Sequence, residues 1–275
     1  MDEIVCNLCG EIRFRVVEED EAPFRVLRCL RCSLIFVNPQ PDARALGEHY
    51  DGDYYRAWMG DQRERRMRMW EARLDRIERR AERGRLLDVG CAEGTFLELA
   101  RRRGWEVCGT ELSAFAAAEA ARRTEAEIFC GELREARYPG ASFDTVTLWH
   151  VLEHVRDPGA TLREIRRILR PGGLLVIAVP NVNDLLMRAA YRIARGRRLR
   201  LFTRQDREIH LYHFSAGTAA HYLRKAGFGT IRIGPDYGIV EPAKRWINAA
   251  GALFYYLSGV KIFNALEIWA EPEAM

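Results

Sequence analysis

The sequence predicts an α/β chain built on a doubly wound, largely parallel sheet, with a small cysteine-rich unit ahead of it. Three observations carry this. From Arg85 onward short apolar runs alternate with helix-patterned stretches, and that alternation belongs to a parallel sheet covered by helices on both faces. A tight turn, Gly90-Cys91-Ala92-Glu93-Gly94, joins the first apolar run to the first helical stretch. Two C-x2-C pairs, Cys6/Cys9 and Cys29/Cys32, fall within residues 1–40.

The cysteine unit comes first and closes at Asn38-Pro39-Gln40-Pro41, a proline-punctuated exit. Its two pairs stand 19 residues apart, the spacing of a tetrahedral zinc site with Cys6, Cys9, Cys29 and Cys32 as ligands. Four thiolates leave no open position on the metal, so the expected zinc is structural and the unit is a zinc ribbon. Residues 41–84 read as a helical linker or cap. It opens on Tyr50, Tyr54, Tyr55 and Trp58, and from Gln62 to Arg83 arginine and glutamate alternate densely. Met67, Trp70, Leu74 and Ile77 are spaced 3, 4 and 3 apart, which gives one apolar helix face. The arginines are expected on the solvated face.

Residues 85–275 form the main domain. Strands are expected at Leu86–Val89, Glu106–Thr110, Ala126–Cys130, Phe143–Leu148, Leu174–Val179, Gly229–Gly234 and Ala265–Ala270. Together they make a Rossmann-like, doubly wound, seven-stranded sheet. Helices are expected at Thr95–Arg103, Ser113–Thr124, Pro158–Leu169 and Thr218–Ala226, with Ser113 and Ser215 as N-caps. Residues 181–215 break the rhythm and form a segment over the carboxyl ends of the strands, where ligands bind in such sheets. The apolar stretch 243–263 reads as a helix broken near Gly251 and Gly259, serving the core or a homodimer contact.

Composition narrows the class. Of 275 residues 48% are hydrophobic and 30% charged, a globular profile. The net charge of +4 is mild and does not demand nucleic acid. Seven cysteines without a visible signal peptide predict a reducing, cytoplasmic setting. No apolar run reaches the roughly 18–20 residues that span a bilayer.

The glycine turn permits close approach of a ligand to the backbone, because Gly90 and Gly94 lack Cβ. It does not match G-x-G-x-x-G, so a pyrophosphate is not required. Glu111 stands 23 residues after Asp88, at the end of the second strand of the main domain. An acid there accepts hydrogen bonds from both ribose hydroxyls of a nucleoside. Leu86–Phe96, Gly109–Leu112, Phe143–Val155 and Leu169–Val179, taken as an ordered set, resemble the class I S-adenosylmethionine (SAM)-dependent methyltransferases. The resemblance covers roughly residues 85–235. It implies SAM as cofactor. Asp88, Gly90, Cys91, Ala92 and Gly94 would then cradle the methionine part, with Ala92 where many relatives carry a second glycine. Glu111 and Leu112 would hold the ribose side, Glu132 and Leu133 the adenine, and Trp149 would lie beside the cofactor.

The acceptor side is expected after strands four and five of that sheet. If Trp149-His150-Val151-Leu152-Glu153-His154 is a helical turn, His150, Glu153 and His154 share a face at i, i+3 and i+4. The segment is similar to that of ubiquinone-pathway O-methyltransferases, where Glu-x-x-Glu-His is associated with a divalent cation. Here His150 replaces the first Glu, and a second cation near His150, Glu153 and His154 is the corresponding expectation. His150, His213 and then His210 are the candidate general bases, since methyl transfer to a hydroxyl needs alignment and removal of a proton. The cysteine unit, with Asp53-Tyr54-Tyr55 behind it, resembles bacterial methyltransferases with an N-terminal zinc ribbon that accompany sugar and natural-product pathways.

The leading reading is therefore O-methylation of a small-molecule acceptor, a saccharide or natural-product intermediate. The first rival is an RNA methyltransferase using the ribbon and the arginines from Arg192 to Arg204. The absence of an Asn/Asp-Pro-Pro-Tyr/Phe segment after strand four argues against nucleic acid. The second rival is a SAM-binding protein without turnover, or one that meets a membrane surface or lipid-linked substrate through Trp246–Phe263.

Overall fold

The computed structural model describes residues 4–19, 23–41, 63–203, 209–238 and 242–273. Tyr50, Tyr54, Tyr55, Trp58 and Arg204 lie outside them.

Two sheets organise the chain. The smaller has β1 (Phe14–Glu19), β2 (Arg25–Cys29) and β3 (Ile35–Asn38) in an antiparallel meander. The larger contains β4 (Arg85–Val89), β5 (Glu106–Glu111), β6 (Glu127–Cys130), β7 (Phe143–Trp149) and β8 (Leu169–Pro180), all paired in parallel. Two more strands, β10 (Phe228–Pro235) and β11 (Ala265–Pro272), close one edge antiparallel, giving the order β10-β11-β8-β7-β4-β5-β6. The seven strands expected from the apolar runs are all present. The fold is a Rossmann-like α/β sheet.

Helices cover both faces: α1 (Arg63–Glu78), α2 (Thr95–Arg102), α3 (Ala114–Thr124), α4 (Pro158–Ile168), α5 (Leu185–Arg195), α6 (Ala216–Lys225) and α7 (Pro242–Ser258). Their starts follow from capping chemistry. Ser113 accepts from the Ala116 amide, Asp157 from Ala160 and Asp184 from Met187. Ser215 and Thr218 form a reciprocal capping box.

Alternate strand residues feed opposite faces, as the pleat requires. Leu86, Leu174, Val176 and Ala178 join Trp70, Leu74 and Ile77 of α1 in one cluster. Leu87, Val89, Leu175, Ile177 and Val179 belong to the other. That second cluster also contains Leu8, Leu27, Leu34 and Phe36, so the cysteine-rich unit shares its core with the large sheet. The joint is stitched further by β9 (Tyr212–His213), which comes from the covering segment yet pairs with β3. Asn7 bonds Asp157 at 2.9 Å and Tyr222 at 2.9 Å, and Lys225 Nζ donates to the Leu8 carbonyl.

Three local expectations change. The arginines of α1 are not all solvated: Arg73 is 2% exposed. Its partner lies far off in sequence, so helical periodicity gave no sign of it. The segment after β7 is a bend with turns, not a helical turn, because His150 takes a positive φ of 57°. Finally, α7 runs unbroken through Gly251 and ends at Gly259, where φ is 75°.

Candidate functional site

The glycine loop leaves the carboxyl end of β4 in a left-handed backbone. Gly90, Ala92 and Gly94 have φ of 71°, 49° and 78°. A Cβ on Gly90 would lie 2.5 Å from Val151 Cγ2, and one on Gly94 would lie 2.9 Å from the Ala120 Cα. Glycine is therefore required twice, for conformation and for space. The Gly90 and Cys91 amides both donate to the Thr110 carbonyl, at 2.8 and 3.0 Å, which ties the loop to the end of β5. Cys91 itself is buried.

Glu111 ends β5 and is 5% exposed. Its carboxylate accepts from the Ala92 amide at 3.0 Å and from the Ser113 amide at 2.9 Å. A carboxylate accepts about four hydrogen bonds. Behind it, Asp88 is buried and accepts from Thr147 Oγ1 at 2.6 Å. Burial outweighs that bond and the nearby Arg73 charge, and pushes the Asp88 carboxyl up to about 7. Leu112 is half exposed, Glu132 is exposed and Leu133 is buried. An apolar shelf beside an anchored acid suits a nucleoside. The loop and these residues thus fit SAM: the tight loop suits the amino-acid part, Glu111 the ribose.

Trp149 ends β7, packed at 5.6 Å from Phe96 and 5.9 Å from Trp70. The Arg73 guanidinium stacks 4.3 Å above its ring. Arg73 also pairs with Asp236 at 2.8 Å, and both are almost fully buried. His150 completes the group, with Nε2 3.3 Å from Asp236 and Nδ1 3.6 Å from Glu153. Burial alone would lower the His150 pKa. The bond to Asp236 and the nearby charge of Glu153 win and raise it from 6.5 to about 9. That direction favours the imidazolium at neutral pH and counts against His150 as the base. The expected outcome is an imidazole signal that keeps its protonated chemical shift past pH 8 in a proton NMR titration. Its contribution to stability is fully present below about pH 6.5 and is lost as pH rises through about 9.

The trio expected on one face does not form. The turn at His150 leaves Glu153 beside it but sends His154 toward His210, whose rings lie 4.9 Å apart. Glu153, His154 and His210 each offer a ligand atom within 4.8 Å of the others. Neither Glu153 oxygen has a hydrogen-bond partner, although the residue is 1% exposed. His154 Nδ1 meets the Ile209 carbonyl at 2.8 Å.

His210 and His213 line a cavity of about 400 Å³ over the end of β8, together with Asn181, Asp184, Arg188 and Arg200. His213 is held there by the pairing of β9 with β3. It is buried, and its Nε2 has no hydrogen-bond partner. Burial, then the neighbouring His210 and Arg188, lower its pKa to about 3, so the ring is neutral. Arg73 and Asp236 were not identified from the sequence; only a lone acid after an apolar strand marked the second.

Around the turn that leads into β3 the four thiols converge. Cys6 and Cys32 sulfurs stand 3.4 Å apart and Cys9 and Cys29 3.5 Å, with all four within 4.8 Å. A tetrahedral zinc with sulfurs at about 2.3 Å needs edges of about 3.8 Å, so the cluster fits. Each knuckle turns the same way: the Gly10 amide donates to the Cys6 carbonyl and the Ser33 amide to that of Cys29, with φ of 72° and 64°.

Known proteins place these features in a family. The family model described as a methyltransferase domain matches residues 59–233, more than half of the chain. Ubiquinone biosynthesis O-methyltransferases of Alkalilimnicola ehrlichii and Rhodopseudomonas palustris are each 37% identical, over 108 and 103 positions. Each match covers 36% of this chain, and the chain spans only about two fifths of those relatives, 42% and 41%. A SAM-dependent methyltransferase structure from Thermotoga maritima has the same fold, with a TM-score of 0.55 at 17% identity over 83% of this chain and 99% of that one. A chain from the complex of the Haloferax volcanii Trm112 methyltransferase activator with a methyltransferase gives 0.56 at 19%, over 81% and 97%. The matched residues 59–233 include the glycine loop, Glu111 and the strands β4 to β8, and the chain belongs to the methyltransferase-domain family.

Proposed function

We propose that this chain methylates an oxygen of a small, hydroxylated acceptor held in the cavity over β8, with His213 receiving the acceptor's proton. The observation that carries this is a buried, neutral imidazole whose Nε2 has no hydrogen-bond partner and which faces a ligand-sized cavity. Bound SAM supplies an electrophilic sulfonium methyl. The chain supplies position and proton transfer. Gly90–Gly94 and Glu111 fix the cofactor, and Trp149 packs at its side. The Glu153 charge favours the protonated form of His213, though burial, His210 and Arg188 outweigh it in the free chain. His150, favoured as the imidazolium, holds the Arg73–Asp236 pair and the bend after β7; it is not the base. His210 lines the same cavity and orients the acceptor. The polar, basic lining by Asn181, Asp184, Arg188 and Arg200 suits a saccharide or natural-product hydroxyl, and the O-methyltransferase relatives point to the same atom.

Zinc is proposed at Cys6, Cys9, Cys29 and Cys32 as a structural ion, with residues 1–40 as a ribbon on a main domain from 85 to 275. A second, divalent cation would sit on Glu153, His154 and His210 rather than on the trio with His150.

The test is transfer of labelled methyl from SAM to a panel of saccharides and phenols by wild type and His213→Phe. The substitution keeps the ring and removes its nitrogens. Loss of a general base lowers kcat by about 100-fold or more, with SAM affinity unchanged. Transfer at the wild-type rate by His213→Phe contradicts the assignment.

A further inference from the structure

Helix α7 is inside out. Its inward side carries Asn248, Gly251 and Ala252. Asn248 bonds the Asp236 carbonyl at 2.8 Å and the Asn264 amide at 3.1 Å, and a Cβ on Gly251 would lie 3.0 Å from the Phe263 Cα. Small and polar residues, with Tyr255 packed 5.5 Å from the Phe263 ring, thus hold the helix on. Its large apolar residues face out: Trp246 is 81% exposed, Leu257 80%, Tyr256 67% and Leu253 62%. Trp246, Leu253 and Leu257 are spaced 7 and 4 apart, a single helical stripe. No charged residue occurs from Trp246 to Val260. A core helix buries such a stripe, and isolated exposed leucines are ordinary; a contiguous patch of this kind marks a partner.

Beside it, α5 packs against α7 and buries no residue of its own. Asn264 joins the two, donating from Nδ2 to the α5 cap Asp184 at 2.7 Å. Helix α5 exposes Ile193 and carries Arg188, Arg192 and Arg195, followed by Arg197, Arg198 and Arg200. Those are six arginines, and no acid occurs between Leu185 and Thr203. The apolar stripe lies on α7; three of the arginines lie on the neighbouring α5 and three in the segment that follows it.

We propose that α5 and α7 form a docking face for an anionic lipid surface. The occupant follows from the combination. Tryptophan and tyrosine among aliphatic side chains settle at the boundary of headgroups and acyl chains, and adjacent arginines meet lipid phosphates. At 17 residues α7 is about 25 Å long and lies along the surface; no helix among the described residues is long and apolar enough to cross a membrane. Arg188 of α5 also lines the cavity. The proposal stands apart from methyl transfer and does not need it.

The experiment is co-sedimentation of the full chain with phosphatidylcholine vesicles, with and without phosphatidylglycerol. Wild type sediments with the mixed vesicles and binds phosphatidylcholine alone roughly tenfold more weakly or less. The double variant Trp246→Ser/Leu257→Ser loses at least about tenfold in binding to mixed vesicles, with unchanged thermal stability and SAM affinity. Arg192→Glu/Arg195→Glu abolishes the preference for the anionic lipid. The proposal is overturned if wild type ignores mixed vesicles, or if these variants bind them as wild type does. It is equally overturned if sedimentation velocity shows a dimer that the serine variant disperses while neither protein binds vesicles; the occupant is then a second copy.

Discussion

Replacing Cys29 with serine is expected to unfold far more than a ribbon. Cys29 is buried in the cluster that also contains Leu87, Val89, Ile177 and Val179 of the large sheet. Its strand β2 pairs with β3, and β3 pairs with β9 of the acceptor segment. A structural zinc contributes on the order of 10 kcal/mol to the folding of an isolated finger. Here part of that is shared with an independent core, so an expected loss of roughly 3–5 kcal/mol is appropriate for the whole chain. The check is thermal and urea denaturation of Cys29→Ser and of wild type stripped by chelator, with zinc measured by elemental analysis. Both should unfold at much lower temperature, and metal content should fall from one ion per chain to none. Because β9 carries His213, the cavity should open at the same time, and acceptor methylation should vanish before SAM binding does. Zinc-free wild-type protein with unchanged stability would remove the ion from the account.

The second large effect falls on Glu111. Glu111→Ala removes a carboxylate expected to accept both ribose hydroxyls, and it releases the Ala92 amide that fixes the glycine loop. Hydrogen bonds to a charged group are worth about 1.5–3 kcal/mol each. The loss of two lowers SAM affinity by roughly 100-fold or more. Calorimetry on the variant and on wild type reads this directly. Thermal stability should change much less, because Glu111 sits at a strand end and not in the packed interior of the sheet.

What could be read from the sequence divides along a physical line. Local devices were legible. Leu174–Val179 of β8 is a continuous apolar run because both its faces are buried. Gly90 and Gly94 announced a loop that no other residue tolerates, and the paired cysteines announced a metal through spacing alone. The acid at 111 could be placed because it follows the second strand of the main sheet directly. Long-range pairings were not legible. Arg73 looked like one more arginine on a solvated helix, since the acid that buries it, Asp236, is 163 positions away. The trio His150, Glu153 and His154 was assumed to share a helical face, and a positive φ at His150 breaks that geometry. No periodicity foretold that Tyr212 and His213 would become a strand of the ribbon's sheet. Nor can the spacing of apolar residues in α7 say which side faces inward, and here the large residues face out.

The central claim is that SAM rests on the Gly90–Gly94 loop with its ribose on Glu111. A crystal structure of the full chain grown with S-adenosylhomocysteine tests it most directly. The account predicts ligand density with both ribose hydroxyls on the Glu111 carboxylate, the amino-acid end against Gly90–Gly94 and the adenine over Leu112. Ligand bound elsewhere, or an empty loop at saturating concentration, would contradict it.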